Sequence, residues 1–388
     1  MKREGKRLEK KARPDIITIV VVSVLVLFGL VTLLNILSDP FDGTENSFSD
    51  FWNRLNFEYV GRQAGNVIVS LILTVPIALL DYEKYKPFTR WIYVISVVLL
   101  AALIIIGEST RGVLGWYEIG TWAFQPSEIC KISLILALSK YCSDVIARRG
   151  RLHKFTDVLG ATLLFAVLFV LIILQGDFGT ALVYIVVFAA ILFAAKISWT
   201  YVISGAAVLG VSMPLVYYFL LSDDQKARIR VFLDPTLDLQ GDGFNVIRSK
   251  EVIGSGGFFG KGYFTEGTLT QSGYVPERHT DFIFSGIGEG LGFLGAIILI
   301  LLYFFLLFRW LSIALNAKDM YGRCLVVGCS AMLATHVFEN IGMNLGVMPV
   351  TGIPLPFISY GGSNMLASMI CVGIVLSVHY RTKNRRKL

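Results

Sequence analysis

Ten runs of apolar residues, each long enough to cross a membrane as a helix, limit what this 388-residue chain can fold into. Hydrophobic residues make up 55% of the sequence and charged residues only 16%, against roughly 25% in ordinary soluble proteins. Because about twenty apolar residues span a bilayer, this pattern excludes a soluble globule. It predicts an all-α polytopic membrane protein with about ten transmembrane helices. The predicted spans lie near residues 16–37, 63–81, 90–107, 126–145, 157–175, 178–195, 200–221, 282–308, 323–345 and 362–380.

The basic residues between these runs predict the orientation of the chain. If the chain starts in the cytoplasm, the inner segments hold 23 Lys or Arg residues and the outer segments hold 10. Basic residues are in excess on the cytoplasmic side of membrane proteins, so both termini are predicted there, as basic tails 1–14 and 381–388. The first apolar run is too long for a signal peptide and lacks an A-x-A cleavage site, which predicts a retained span.

Charge and cysteine content exclude two other classes of protein. The net charge of +7 is distributed in short runs between apolar segments and does not indicate nucleic-acid binding. The five cysteines are odd in number and lie within or beside apolar runs, so no disulfide framework or metal spacing is predicted.

One connection, residues 222–281, is about sixty residues long and is predicted to lie outside the membrane, between the seventh and eighth helices. Loops of this length are usually functional or disordered. This one contains glycine turns and aromatic residues, as in the stretch 254–262, and is therefore expected to fold over the helices. The whole chain, 1–388, is predicted to be a single integral membrane domain.

The fourth span starts with Pro126 and carries Glu128 and Lys131 three residues apart, which places the two charges on one face of a helix. Two interpretations stand side by side. The charges form a pair that lowers the cost of their own burial, or they line a water-filled cavity, since ionisable groups rarely face lipid.

Three other polar features interrupt the apolar pattern. Asp177 is interpreted as the N-cap of the sixth span. The stretch 350–363 holds two prolines and three glycines, which predicts a non-helical segment against the bundle. The ninth span has polar residues at helical spacing that are expected to form hydrogen bonds between helices; they are His336, Glu339, Asn340 and Asn344.

The junction 276–284, between the long loop and the eighth span, contains His279 and Asp281, and Glu289 follows about two turns later. Thr280 and Asp281 are residue types that commonly cap a helix, and one of them is interpreted as the N-cap of the eighth span. A carboxylate at the outer mouth of a cavity is also suited to act as a base. His279 with Asp281 would provide only two ligands for a metal, so the residues alone leave these alternatives open.

Five segments, taken in order, resemble the SEDS family, named for shape, elongation, division and sporulation. They are 125–128, 175–181, 253–257, 276–284 and 354–363. The stretches 230–261 and 350–356 are more similar to the rod-shape (RodA-like) branch than to the division (FtsW-like) branch. The chain departs from the usual motifs at Gly115, Gly176 and Arg248.

The resemblance implies a bacterial cell-membrane glycosyltransferase that polymerises lipid II into peptidoglycan strands for elongation and cell shape. It also implies a class B penicillin-binding protein as partner. By position, Asp281 matches the essential loop aspartate, Glu128 and Lys131 match a cavity pair, and Trp116 matches an important tryptophan. Four further residues are predicted to contact the substrate or line the cavity: Arg111, Lys261, Glu289 and His279.

The reaction implied for Asp281 is an inverting transfer in which this carboxylate is the general base. Cationic side chains, with or without a divalent cation such as Mg²⁺ or Mn²⁺, would balance the pyrophosphate leaving group. The rival hypotheses are a flippase or transporter for lipid-linked precursors, a scaffold that recruits wall enzymes, and a division or sporulation paralogue of the same polymerase.

Overall fold

Helices make up most of the chain, as the apolar runs predict. The computed structural model describes residues 14–41, 48–110, 113–119, 122–219, 223–238 and 240–385. In chain order the helices are α1 (Ile16–Leu37), α2 (Phe48–Arg54), α3 (Glu58–Leu79), α4 (Thr89–Ile106), α5 (Pro126–Arg149), α6 (Phe155–Leu174), α7 (Phe178–Ala194), α8 (Trp199–Phe219), α9 (Asp223–Leu233), α10 (Asp242–Ser255), α11 (Ile283–Leu315), α12 (Met320–Asn344) and α13 (Gly362–Arg385). Short 3₁₀ turns lie at Tyr82–Tyr85 and Pro235–Leu237.

Each of the ten predicted spans falls on a helix, namely α1, α3 to α8 and α11 to α13. Within the described ranges, seven helices are long and apolar enough to cross a membrane: α1, α3, α4, α6, α11, α12 and α13. Helix α7 is apolar but has 17 residues. Large apolar side chains such as Ile72 on α3 and Ile105 on α4 are exposed on the surface of the bundle, where lipid would cover them. The chain is a multi-pass membrane protein.

A small antiparallel sheet between α4 and α5 departs from the predicted all-helical fold. Its strands are β1 (Glu108–Thr110), β2 (Val113–Ile119) and β3 (Trp122–Phe124), paired in that order. In the register of β2 and β3, Tyr117 lies opposite Phe124. Strand β2 packs against α4 and α5, so the sheet lies beside the start of α5.

The segment 222–281 contains regular structure, in line with the prediction that it folds. Helices α9 and α10 occupy much of it, and α10 packs against α11. Turns from Gly256 onward then connect α10 to the start of α11.

Helix α11 is broken at Gly292, whose backbone has φ 64° and ψ −164°. The backbone of the segment 256–262 provides hydrogen-bond partners on either side of the break. Lys261 N donates to the Glu289 carbonyl at 2.9 Å, and Phe293 N donates to the Gly257 carbonyl at 2.9 Å. A Cβ at Gly292 would lie 2.3 Å from a backbone nitrogen of this segment. The close approach therefore requires glycine, because a Cβ would clash with that backbone. The hydrogen bonds matter because buried backbone groups in a membrane need partners.

Helices α5 and α12 form the buried centre of the bundle. Most residues of α12 are buried, and α5 packs against α4, α6, α7, α12 and α13. Several polar side chains of these two helices, among them Glu128, Lys131 and His336, are consequently buried, and this centre holds the candidate site.

Candidate active site

The first turns of α5 hold a buried ion pair. Lys131 Nζ donates to Glu128 Oε1 at 2.6 Å, and both side chains are almost completely buried. The same Nζ lies 2.8 Å from His336 Nε2 on α12. The pair predicted from the spacing in α5 is confirmed, and the structure adds a histidine 205 residues away in the sequence.

Several polar atoms around this pair have no hydrogen-bond partner among the described residues. They include Glu128 Oε2, Ser127 Oγ and Thr180 Oγ1. Leaving a buried polar atom without a partner costs about 1 to 3 kcal/mol, so such atoms call for an explanation, and sites that bind water or substrate provide one. The surroundings of the Glu128–Lys131 pair are therefore a candidate for such a site.

The start of α7 lies beside the start of α5, where Tyr184 on α7 donates its hydroxyl to the Ser127 carbonyl at 3.4 Å. Asp177 accepts a hydrogen bond from Thr180 N at 2.9 Å, which confirms its interpretation as the N-cap. This cap fixes the first turn of α7, the helix that packs against α5.

Trp116 lies on β2, directly opposite Glu108 of β1, with its side chain half-buried. The sheet is tied to the start of α7 by Leu114 N, which donates to the Gln175 carbonyl at 3.0 Å. Arg111 lies outside the described residues, so its predicted role stays a prediction.

Asp281 occupies a turn just before α11 and is half-buried. Its backbone carbonyl accepts hydrogen bonds from the side-chain amides of Asn340 (2.8 Å) and Asn344 (2.9 Å) on α12. A Cβ placed on Gly352 would lie 3.7 Å from Asp281 Oδ2, so the carboxylate faces the segment that follows α12. The N-cap position of α11 is Phe282, whose own side chain makes no cap hydrogen bond, so the helix-cap interpretation of Thr280 or Asp281 was wrong.

His279, two residues before Asp281, packs its ring against the rings of Tyr59 and Tyr360, with centroids 5.3 and 5.8 Å away. Burial lowers the pKa of His279 below its ordinary value, and although the Glu277 carboxylate opposes this shift, the Arg278 cation adds to it. The lowered pKa favours the neutral form of the ring. The described residues contain no group of three or more His, Cys, Asp or Glu side chains that could hold a metal ion.

The segment 350–361 lies across the site and is non-helical, as its prolines and glycines predict. Gln63 of α3 holds it from one side, donating to the Ser359 carbonyl at 3.1 Å and accepting from Gly361 N at 3.2 Å. Tyr303 of α11 donates its hydroxyl to the Pro356 carbonyl at 2.5 Å from another side. The segment is thus fixed to two helices as well as to the turn that contains Asp281.

Lys261 and Glu289, both predicted site residues, form a second pair, with Nζ and Oε1 2.9 Å apart. Glu289 is fully buried and also accepts from Leu269 N at 2.7 Å and from the backbone and hydroxyl of Thr270. This pair connects the segment after α10 to the first half of α11. It shares no residue with the group formed by Glu128, Lys131 and His336.

Sequence reasoning did not foresee the contacts of Asn340 and Asn344 with the Asp281 turn. Their helical spacing predicted that they face the bundle interior and bond between helices, which the structure confirms for Asn344, whose Oδ1 accepts from Ser249 on α10 and Ser285 on α11. Asn340 instead donates to two non-helical segments, at the Asp281 and Ile353 carbonyls. Their common target is 59 and 63 residues away in the sequence, and no local pattern identifies it.

Comparison with known proteins connects this geometry to one family. A family model described as "Cell cycle protein", for FtsW, RodA and SpoVE, matches residues 15–384. The "Peptidoglycan glycosyltransferase MrdB" of Escherichia coli K12 is 36% identical over 322 residues, which cover 83% of this chain and 86% of that protein.

Two solved structures have the same fold. One is the crystal structure of the "Rod shape determining protein RodA" of Thermus thermophilus, with a TM-score of 0.68, 28% identity and coverage of 94% of this chain and 96% of that one. The other is a chain in "Structural coordination of polymerization and crosslinking by a peptidoglycan synthase complex", with a TM-score of 0.77, 28% identity and coverage of 95% and 98%.

Proposed function

Because the chain belongs to the FtsW, RodA and SpoVE family, which is the SEDS family, we propose that it polymerises lipid II into the glycan strands of the cell wall. The chain is a peptidoglycan glycosyltransferase, like its relative MrdB. Its proposed role is elongation and cell shape, supported by the RodA-like segments of the sequence and by the fold shared with the rod-shape protein.

The observation that carries the proposal is that a single helix, α12, contacts both the Glu128–Lys131 pair and the turn that contains Asp281. His336 of α12 contacts Lys131 at 2.8 Å, and Asn340, one turn further on, donates to the Asp281 carbonyl at 2.8 Å. Residues four apart share a face of a helix, so the backbone of Asp281 and the buried Glu128–Lys131 pair contact the same polar face of α12.

In the proposed step Asp281 is the general base. Its carboxylate takes the proton from the 4-hydroxyl of the acceptor sugar, and the freed oxygen forms a bond to the anomeric carbon of the donor. The bond from that carbon to the pyrophosphate oxygen breaks, and its electron pair leaves with the lipid pyrophosphate. Attack opposite the leaving group inverts the anomeric centre from α to β.

The leaving pyrophosphate needs positive charge nearby. Lys131 is the buried cation of the site, and Arg111 and Arg248 are the proposed cations of the outer segments. The proposal also includes a divalent cation at the pyrophosphate, because Mg²⁺ in proteins is commonly bound by one or two carboxylates together with substrate phosphates. Lys261 and Glu289 are proposed to support the site by fixing the segment beside it.

The proposed partner is a class B penicillin-binding protein, which would cross-link the strands. The support is the similarity to a chain of a peptidoglycan synthase complex, whose description couples polymerisation with crosslinking. In the proposed orientation both termini are cytoplasmic and residues 222–281 face the outside of the bacterial cell membrane, where lipid II would be used.

The test is polymerisation by the purified protein in detergent, with lipid II and no second compartment. A polymerase makes glycan strands under these conditions, whereas a flippase or a scaffold does not. We expect Asp281→Asn to lower the rate by about a hundredfold or more, because an amide cannot take up the proton.

The matched control is Asp234→Asn, the same change in the same long segment. Asp234 is exposed and its side chain accepts from Thr236 N at 3.1 Å within a 3₁₀ turn, so near-parental polymerisation is expected. A folded Asp281→Asn variant that polymerises at the parental rate would show that the base lies elsewhere.

A further inference from the structure

The peptide carbonyl of Asp281 is held by two amides on one face of α12. Asn340 Nδ2 donates to it at 2.8 Å and Asn344 Nδ2 at 2.9 Å, and both asparagines are fully buried. Two donors on one carbonyl satisfy both of its lone pairs. The backbone of Asp281 is therefore fixed relative to α12.

The two preceding carbonyls of the same turn are also held by other segments. The Thr280 carbonyl accepts from Ser359 Oγ at 2.6 Å, and the His279 carbonyl accepts from Tyr360 N at 2.9 Å. Three consecutive peptide groups are thus bonded to partners outside their own turn. Hairpin loops and surface turns do not need such contacts, since water can satisfy their carbonyls.

We propose that Asn340, Asn344 and Ser359 form a clamp that positions the Asp281 carboxylate for proton transfer. None of the three is proposed to touch the substrate; each is a positioning residue that acts through the backbone of the 279–281 turn. The inference rests on the proposed function, in which Asp281 is the base.

The clamp has a physical reason in the demands of the reaction. The carboxylate is joined to the held carbonyl through the Cα and Cβ of one residue, so fixing the peptide leaves only the side-chain torsions of Asp281 free. A base must lie within hydrogen-bond distance of the proton it takes, and misplacement of a reacting group by about 1 Å can cost a hundredfold in rate. A half-exposed turn without the clamp would not hold its side chain to that tolerance.

Asn344 also joins the clamp to the elements on either side. Its Oδ1 accepts from Ser285 N, in the first turn of α11, and from Ser249 Oγ on α10, both at 3.2 Å. Helix α12 therefore sets the position of the long outer segment, the Asp281 turn and the start of α11 together.

The experiment measures kcat and KM for lipid II, together with melting in detergent, for Asn340→Ala, Asn340→Ala/Asn344→Ala and Ser359→Ala. We expect kcat to fall by about tenfold for the single asparagine change and about a hundredfold for the double change, with KM within about threefold of the parent. A fall in kcat alone is the mark of a misplaced catalytic group, whereas simple loss of folded protein lowers the amount of active enzyme and is seen in melting.

The matched control is Asn35→Ala. Asn35 is also a buried asparagine that holds the outer segment, because its Oδ1 accepts from Phe264 N at 2.7 Å, but its hydrogen bonds within the described residues go to Phe264 and Gln271 and not to the 279–281 turn. Its kcat should stay within about threefold of the parent. An equal fall in kcat for Asn35→Ala would mean that any loosening of the segment lowers the rate, and would overturn the clamp.

The outcomes separate the clamp from the proposed base. If Asp281→Asn is inactive while the folded clamp variants turn over at the parental kcat, the positioning role is wrong and the base assignment stands. If Asp281→Asn is active, the base assignment itself is wrong, whatever the clamp variants do. If the double asparagine variant does not fold, Ser359→Ala decides the matter, because it removes one hydroxyl and an unchanged kcat there contradicts the proposal.

Discussion

Two lysine–carboxylate pairs in the described part of the protein have a buried carboxylate, and they differ in how completely the carboxylate oxygens are satisfied. Glu289 accepts hydrogen bonds from Lys261 Nζ at 2.9 Å and from Leu269 N at 2.7 Å. It also accepts from the backbone N–H and the hydroxyl of Thr270. Both of its oxygens therefore have partners, and the pair fastens one segment to the next.

The Glu128–Lys131 pair is more deeply buried and less completely bonded. Glu128 Oε1 accepts a hydrogen bond from Lys131 Nζ at 2.6 Å, while Glu128 Oε2 has no hydrogen-bond partner among the described residues. The lysine is also shared with His336. Folding alone would favour satisfying every buried oxygen. The incomplete set therefore supports the proposed substrate site at the first pair, and the complete set fits a structural anchor.

Lys131→Met should have the largest effect, because it leaves the buried Glu128 carboxylate without its cation. Removing one partner of a buried pair typically costs about 3 to 5 kcal/mol. If Lys131 also stabilises the leaving group, polymerisation by the folded fraction should fall by about a hundredfold or more. Melting in detergent and the lipid II assay measure the two effects, and parental polymerisation would remove Lys131 from the active site.

Glu289→Gln should instead cost stability and leave the rate almost unchanged. The new amide NH₂ would replace one of the two oxygens and face the backbone N–H of either Leu269 or Thr270, leaving a buried donor unsatisfied at a cost of about 2 to 3 kcal/mol. The matched variant is Glu128→Gln, the same substitution in the other pair, which should lower the rate instead. Equal losses of rate in the two variants would show that the pairs do not differ in role.

Combining Glu128→Gln with Lys131→Met should do less harm than the two single changes added together. The double variant leaves no buried charge without its partner, so a coupling energy of about 1 to 2 kcal/mol is expected. The double-mutant cycle is measured on melting and on polymerisation. Additive effects would mean that the two charges do not depend on each other.

The smallest effect is expected at an exposed pair, Lys318–Glu83, whose atoms are 2.9 Å apart. Exposed ion pairs contribute about 1 kcal/mol or less and are weakened by salt. Lys318→Ala should therefore change melting only slightly and leave polymerisation at the parental rate. A large effect there would mean that loss of a lysine charge alone, rather than its burial, explains the Lys131 result.

Several features of the site could be predicted because they depend on neighbouring residues. The Glu128–Lys131 pair follows from three-residue spacing on α5, and the Asp177 cap lies three residues from the amide it bonds. The non-helical segment 350–361 follows from its prolines and glycines.

The apolar runs of the sequence determined by themselves that the chain is a helical membrane protein and where its apolar helices lie, because helix hydrogen bonds and helix length are local. Only the tertiary structure decided that His336 meets Lys131, that Asn340 and Asn344 hold the Asp281 carbonyl, and that the segment 256–262 repairs the break in α11. These partners lie up to 205 residues apart. Their contacts depend on how helices pack, and a hydrogen-bonding side chain in the sequence does not specify which distant backbone group it will reach.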